Sequence, residues 1–275
     1  MSEQWTTGDT SSEAIYRHPE DYDLEVTAHD VRDLPFWLDL LQQERPQRVL
    51  EIGCGTGRLT VPLARAGAQA GFMVTGLDPE LGMLTRANKL AEAEAPATRA
   101  ALRFVQGDVC ALNLDGEYDV VLMPYGTAHH LLGLDAQIAA WRGVRQLLRP
   151  GGLFVVDVSA PDLAMLAQAR EGTPRREDLA VGGVDGRSLQ RTAATTYAAA
   201  MQRAMINFEY TVHDANGERR EYASPFAMHV YYPRELELLF LLTGFHLERT
   251  VGSYAGEPFA DRSPLMIAIG RADSM

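Results

Sequence analysis

Val49-Leu50-Glu51-Ile52-Gly53-Cys54-Gly55-Thr56-Gly57-Arg58-Leu59-Thr60-Val61-Pro62-Leu63-Ala64 is the stretch on which the reading of this chain turns. It opens with a short apolar run, the pattern of a strand buried on both faces. Gly53, Gly55 and Gly57 then alternate, so the turn carries no Cβ that would hold its backbone away from a ligand. From Leu59 through Leu63 and Ala64 the apolar residues return at helical spacing. Strand, glycine turn and helix start make a place where free N–H groups and the helix dipole favour a carboxylate or phosphate.

The spacing is Gly-x-Gly-x-Gly, and a dinucleotide fingerprint would need its third glycine where Arg58 stands. An NAD-dependent oxidoreductase is therefore disfavoured. With the acid at Glu51, the run Glu-Ile-Gly-Cys-Gly-Thr-Gly resembles motif I of the class I methyltransferases that use S-adenosylmethionine. Leu147-Leu148-Arg149-Pro150-Gly151-Gly152, with the strand Leu153–Val158 behind it, is similar to a turn that accompanies that motif. Tyr231 to Leu236, Thr243-Gly244-Phe245 and Gly252 to Phe259 resemble closing segments of the family's small-molecule branch. The resemblance runs over residues 20–272 and is strongest at 49–64, 74–79 and 147–158. It implies a doubly wound, seven-stranded, Rossmann-like α/β sheet, S-adenosylmethionine as cofactor and a small-molecule acceptor methylated at O, N or C.

The remaining strands fall into place around that turn. Met73 to Leu77 reads as a second buried strand ending in Asp78, about 20 residues past the last glycine, where a carboxylate meets ribose hydroxyls. An acid suits the task because its two oxygens only accept. Leu102 to Gln106 reads as a third strand ending in Gly107-Asp108. The resemblance implies that Asp108 accepts from the adenine amine and that the Val109 N–H serves a ring nitrogen. The fourth strand, Tyr118 to Met123, runs into Pro124-Tyr125-Gly126-Thr127-Ala128-His129-His130-Leu131, a loop at the carboxyl end of the sheet where ligands bind. The family's usual form there is Asn-Ser-Phe-Gln-His-Leu. His130 matches its recurrent His, whereas Gly126, Ala128 and His129 depart from it and point to a differently shaped acceptor pocket.

Carried over residue by residue, the resemblance places the cofactor against Tyr22, Glu51, Gly53, Cys54, Gly55, Gly57, Asp78, Pro79, Asp108, Val109 and Met123. Tyr22 enters through Asp21 to Asp30, which resembles the N-terminal lid of small-molecule methyltransferases. Methyl transfer from a sulfonium is an in-line displacement that needs a positioned nucleophile, exclusion of water and sometimes a base. Tyrosine rings attract the sulfonium charge, which singles out Tyr16, Tyr22 and Tyr125. A histidine titrates near neutrality, which singles out His129, His130 and His229. His129, His130 and Tyr125 are the catalytic candidates; no metal is expected.

Composition bounds the rest. Lys and Arg number 25 against 37 Asp and Glu, a formal net charge of -12 that repels nucleic-acid backbones. Cys54 and Cys110 are the two cysteines and form neither a C-x-x-C pair nor a His/Cys cluster, which argues against zinc and disulfides. No apolar run is long enough for a bilayer and residues 1–12 lack a leader's apolar segment, so no membrane partner and a cytoplasmic location are expected. Residues 1–12 read as a disordered tail and 13–45 as lid helices, with Asp33 as an N-cap. Residues 46–161 and 233–272 form the catalytic domain. Residues 162–232 read as an inserted substrate cover of about three antiparallel strands. Within it Phe208, Tyr210, Met228 and Tyr231 offer apolar cover, and a homodimer contact is the alternative use of the sheet. A non-catalytic adenosyl-binding protein and a protein methyltransferase are the competing readings.

Overall fold

A computed structural model describes residues 14–29 and 32–273. The expected tail at 1–12 and residue Asp30 of the lid lie outside them. Two short helices lead, α1 (Pro19–Ala28) and α2 (Leu34–Glu44). The α/β run follows as β1 (Arg48–Ile52), α3 (Thr60–Ala70), β2 (Met73–Asp78), α4 (Leu81–Glu92), α5 (Pro96–Ala100), β3 (Leu102–Gln106), β4 (Tyr118–Met123), α6 (Leu134–Leu147) and β5 (Leu148–Ser159). Next come α7 (Leu163–Arg170) and the strands β6 (Arg176–Gly182), β7 (Ser188–Ala198), β8 (Arg203–His213) and β9 (Arg219–His229). The chain closes through α8 (Pro233–Leu242), β10 (Phe245–Val251) and β11 (Leu265–Ala272).

The main sheet has seven strands in the order β10-β11-β5-β4-β1-β2-β3. β1 to β5 pair in parallel, while β11 lies antiparallel between β5 and β10. The strands are apolar on both faces, and the pleat sends alternate residues to two cores. Leu50, Ile52, Val121, Met123, Phe154 and Val156 join Trp141 and Phe240 on the α6 and α8 side. Val49, Val74, Val120, Leu122 and Val155 join Trp37, Leu59 and Leu63 on the α2 and α3 side. Each fully buried Val, Leu or Phe contributes about 1.5–3 kcal/mol relative to an exposed one. Strand order reverses between β1 and β4, so the glycine loop and the Pro124–His130 loop meet at the switch point, where α/β sheets bind ligands.

The insert is a separate antiparallel sheet, β6-β7-β8-β9, one strand more than expected. Pro225 lies in β9, an edge strand, and faces Asn207 of β8. The β8–β9 turn closes at Gly217, whose φ of 83° takes the left-handed conformation that Asn216-Gly217 announces. Pro150-Gly151-Gly152 is not a turn before β5 but part of it, with a register shift opposite β4 between Tyr118 and Val120. No helix among the described residues is long and apolar enough to cross a membrane.

Candidate active site

The glycine loop is built for close approach. Gly53, Gly55 and Gly57 have φ of 73°, 54° and 83°, all left-handed. A Cβ at Gly53 would collide with the Thr127 side chain from the β4 loop, and one at Gly57 would press on the Phe104 ring. The N–H groups of Gly53 and Cys54 both donate to the Leu77 carbonyl at 2.8 and 3.0 Å, which hangs the loop on the end of β2. At that end Asp78 accepts from Gly55 N–H at 2.8 Å with Oδ2 and from Glu80 N–H at 2.9 Å with Oδ1. Burial raises its pKa, and these two bonds only partly oppose the rise.

One strand over, Asp108 uses Oδ1 to accept from Cys110 N–H at 2.8 Å, leaving an exposed carboxylate at the end of β3. From the other side the Tyr22 ring lies 3.7 Å from the point where a Gly55 Cβ would sit. Bare backbone, a carboxylate at the end of each of two adjacent strands and an aromatic cover fit a nucleoside with a charged tail. Asp78→Ala is expected to weaken S-adenosylhomocysteine binding by about 1–3 kcal/mol, the loss of a charged acceptor. Calorimetry on the folded variant checks this, and an unchanged affinity would remove Asp78 from the ribose site.

Other residues assigned to the cofactor serve the loop from behind. Glu51 is 2% exposed, accepts from the Thr60 hydroxyl at 2.6 Å and has its pKa pushed up to about 8 by burial. It ties β1 to the start of α3. The Cys54 side chain packs onto Gly76 of β2 and burial holds its thiol protonated, so this side chain gives the loop its shape. Met123 is wholly buried in the core, so its side chain does not line the site. Val109 is half-buried against the same core, and Pro79 is exposed with its carbonyl accepting from Gln106 at 3.0 Å.

Across the switch point Tyr125 is a non-glycine residue with φ of 52°, a left-handed conformation that costs energy. Asp157, at the end of β5, pins it by accepting from Tyr125 N–H at 3.0 Å and from the Tyr254 hydroxyl at 2.5 Å. Burial pushes Asp157 up to about 6. The Arg58 guanidinium sits 5.1 Å from the centre of the Tyr125 ring and donates to both oxygens of Asp33 at 2.7 and 2.8 Å. Asp33 precedes α2 as expected but makes no side-chain cap; its carboxylate goes to Arg58 and the Trp37 indole instead. Arg58, Asp33, Asp157 and Tyr254 were not among the expected site residues, although a charge directly behind the third glycine was a signal.

The two histidines divide. His130 is exposed at the mouth, its Nε2 3.1 Å from the Tyr16 hydroxyl and its ring 5.1 Å from Phe226. Tyr16 in turn packs edge-on to Tyr22 at 5.9 Å. His129 is buried with both nitrogens spent on backbone. Nδ1 donates to the His229 carbonyl at 2.7 Å and Nε2 accepts from Ser159 N–H at 3.1 Å. Neither is left for a substrate proton, so the expected role as base does not fit His129. His229 gives its Nε2 to Glu235 at 2.7 Å, while its Nδ1 is buried without a hydrogen-bond partner.

Burial lowers His129 to about 4. A histidine held neutral when folded binds fewer protons than the unfolded chain between its folded and unfolded values. Its contribution is therefore full above about 6.5 and is lost as pH falls toward 4. Buried Asp157 and Glu51 slope the opposite way, so the comparison isolates one residue. Denaturation of wild type and His129→Gln should give stabilities that converge by up to about 3 kcal/mol on acidification over that window. Parallel curves would show that His129 does not titrate in this way.

The lid is strapped to the inserted sheet. Asp21 is fully buried and accepts from Arg187, from Arg220 at 2.7 Å and from the Tyr222 hydroxyl at 3.0 Å. Burial alone would raise its pKa, but these partners outweigh it and hold the carboxyl below its ordinary value. One turn on, Glu25 takes Arg191 and the Tyr210 hydroxyl, the latter at 2.8 Å. Tyr210 thus braces the lid, and Tyr231 is a core residue whose hydroxyl donates to the Ala128 carbonyl at 3.0 Å. Neither is the open apolar cover expected of it.

A family profile described as a methyltransferase domain matches residues 49–152. The chain is 30% identical over 224 residues to the cypemycin N-terminal methyltransferase of a Streptomyces species, covering 80% of this chain and 81% of that one. Other curated methyltransferases match over about half of their own length, as in the 55% covered of a Geobacillus protein. Among solved structures, the CcbJ methyltransferase of Streptomyces caelestis superposes with a TM-score of 0.69 at 27% identity, over 89% of this chain and 91% of that one. The sugar N-methyltransferase KedS8 of a Streptoalloteichus species superposes with a TM-score of 0.70 over 100% and 98% at 18% identity, which speaks to the fold.

Proposed function

Because the chain belongs to the class I S-adenosylmethionine-dependent methyltransferases, we propose that it methylates an amine nitrogen of a small molecule. When bound, the cofactor supplies an electrophilic methyl group on a sulfonium. Gly53 to Gly57, Asp78 and Asp108 hold its adenosyl part, and Tyr22 shields it from water. The observation that carries the reading is the mouth above that site, where His130 and the Tyr16 hydroxyl lie 3.1 Å apart beside the rings of Tyr22 and Phe226.

An amine attacks through its own lone pair and becomes cationic as the bond forms, and the tyrosine faces favour that charge. His130 is placed to take the proton that the nitrogen must lose, with the Tyr16 hydroxyl holding the ring. The cypemycin N-terminal methyltransferase is named for methylation at an amino terminus, and its match to this chain, 224 residues, reaches past the catalytic core.

The test is S-adenosylhomocysteine release with matched amines, alcohols, phenols and carboxylic acids, a peptide amino terminus among the amines. Turnover confined to oxygen or carbon acceptors would overturn the reading. With an amine substrate, His130→Ala should lower kcat by about 100-fold or more at unchanged S-adenosylhomocysteine affinity.

A further inference from the structure

On the outer side of the lid, α1, α4 and the inserted sheet border a second cavity of about 360 Å³ that opens to solvent. Arg17, Arg86, Lys89, Arg187 and Arg220 converge on it, in a protein whose formal net charge is -12. Glu20 and Asp21 are the carboxylates in its wall. Asp21 is fully buried and spent on Arg187, Arg220 and Tyr222, whereas Glu20, 57% exposed, pairs loosely with Arg86 at 3.4 Å and Arg187 at 3.8 Å. Behind the wall Asp23 takes Arg86, and Asp214 takes Arg187 at 3.2 Å and faces Nε of Arg220 at 3.8 Å.

The pairing is incomplete. Nη1 of Arg220 is buried and has no hydrogen-bond partner. Arg17 and Lys89 are exposed at the rim and make no ion pair among the described residues. An N–H of a guanidinium shut away from water without an acceptor is costly, and a ligand oxygen would remove that cost. His18 reports the local potential. Its pKa is lowered by burial and by the charges of Arg220 and Arg17, more than Asp21 raises it. The cavity is separate from the adenosyl loop, since Gly53, Gly55, Gly57, Asp78 and Asp108 are not in its lining.

We propose that this cavity is a binding site for a phosphate-type dianion, gripped by the unpaired Nη1 of Arg220 and by Arg17 and Lys89 from the rim. Such a ligand touches the lid, α4 and the inserted sheet at once, so its binding holds the lid closed over the glycine loop. The group is either free or carried on the methyl acceptor, and the chemistry of the site is the same for both.

The experiment is calorimetric titration of the full chain with inorganic pyrophosphate at saturating S-adenosylhomocysteine, which needs no turnover and so stands apart from the amine assignment. Binding that survives saturation of the adenosyl site, and that falls about tenfold or more in Arg17→Gln/Lys89→Gln, is the expected result. Arg234→Gln/Arg262→Gln, which changes two exposed arginines outside the cavity, should bind as wild type and matches the change in net charge. Both variants change surface residues, and their melting temperatures verify folding. Competition of pyrophosphate with the amine acceptor marks a phosphoryl group on that acceptor; binding without competition marks a separate anion, and either supports the site. No binding at millimolar pyrophosphate, displacement by S-adenosylhomocysteine, or equal affinity in Arg17→Gln/Lys89→Gln would overturn it.

Discussion

Asp33→Ala is expected to destabilise the protein by about 3–5 kcal/mol, the cost of breaking a buried ion pair from one side. Asp33 has no exposed surface, and its two oxygens take both Arg58 nitrogens at 2.7 and 2.8 Å, with the Trp37 indole N–H at 3.1 Å. Removing it strands a guanidinium and an indole donor together. Arg58 keeps 25% of its side chain exposed, so water recovers part of the loss and the lower end of the range is the better figure. Arg58 follows the third glycine and lies over Tyr125, so cofactor affinity should fall with stability. Urea denaturation with calorimetry of S-adenosylhomocysteine measures both. In Asp33→Leu/Arg58→Met no charge is left behind, and the double variant should recover much of the stability. A midpoint for Asp33→Ala equal to wild type would show that the pair bears no weight.

The parallel sheet was legible because β1, β2 and β4 are buried on both faces and so read as short, mostly apolar runs. Asp78 stands where such a run stops, whereas Asp108 follows β3, a half-exposed edge strand, and could be placed only by its order after Asp78. β6 could not. It is an edge strand, Arg-Glu-Asp-Leu-Ala-Val-Gly, with most of its residues exposed, so neither face imposes an alternation. Pro150-Gly151-Gly152 misled because a glycine with φ of 73° serves a bulge in a strand as well as a turn.

His129 and His130 are adjacent and chemically identical in the sequence. What separates them is backbone from Ser159 and His229, 30 and 100 residues away, which locks one ring and leaves the other at the mouth. Long-range charge pairs were hidden in the same way. Asp33 meets Arg58 across 25 residues, and Asp21 meets Arg220 across 199. The cationic cavity is assembled from residues 17, 86, 89, 187 and 220, and an overall charge of -12 says nothing of it.

Asp21→Ala is expected to cost about 3–5 kcal/mol as well, and to release the lid. Asp21 is fully buried and is shared by Arg187 and Arg220, with the Tyr222 hydroxyl as a third donor. Arg187 is 12% exposed and Arg220 33%, so Arg187 in particular cannot turn to water when its partner goes. Asp214 still faces both arginines, at 3.2 and 3.8 Å, and retains part of the attraction. Among the described residues four acids of α1 tie it to its surroundings: Asp21 to β9, Glu25 to β7 and β8, Asp23 to Arg86 of α4, and the exposed Glu20 to Arg86 at 3.4 Å and Arg187 at 3.8 Å. The first has no exposed acceptor and the most donors, so its loss matters most. Tyr22, the next residue, covers Gly55, and its position over the adenosyl site depends on that anchor. S-adenosylhomocysteine should therefore dissociate faster from Asp21→Ala, with affinity down by about tenfold or more for a loss above 1.4 kcal/mol. Limited trypsin digestion should cut the variant at Arg17 sooner than wild type. Asp21→Asn keeps an acceptor for Tyr222 but not the charge, and should fall between the two. Equal proteolysis and equal ligand affinity in a folded Asp21→Ala would mean that the lid is held by Glu20, Asp23 and Glu25 without it.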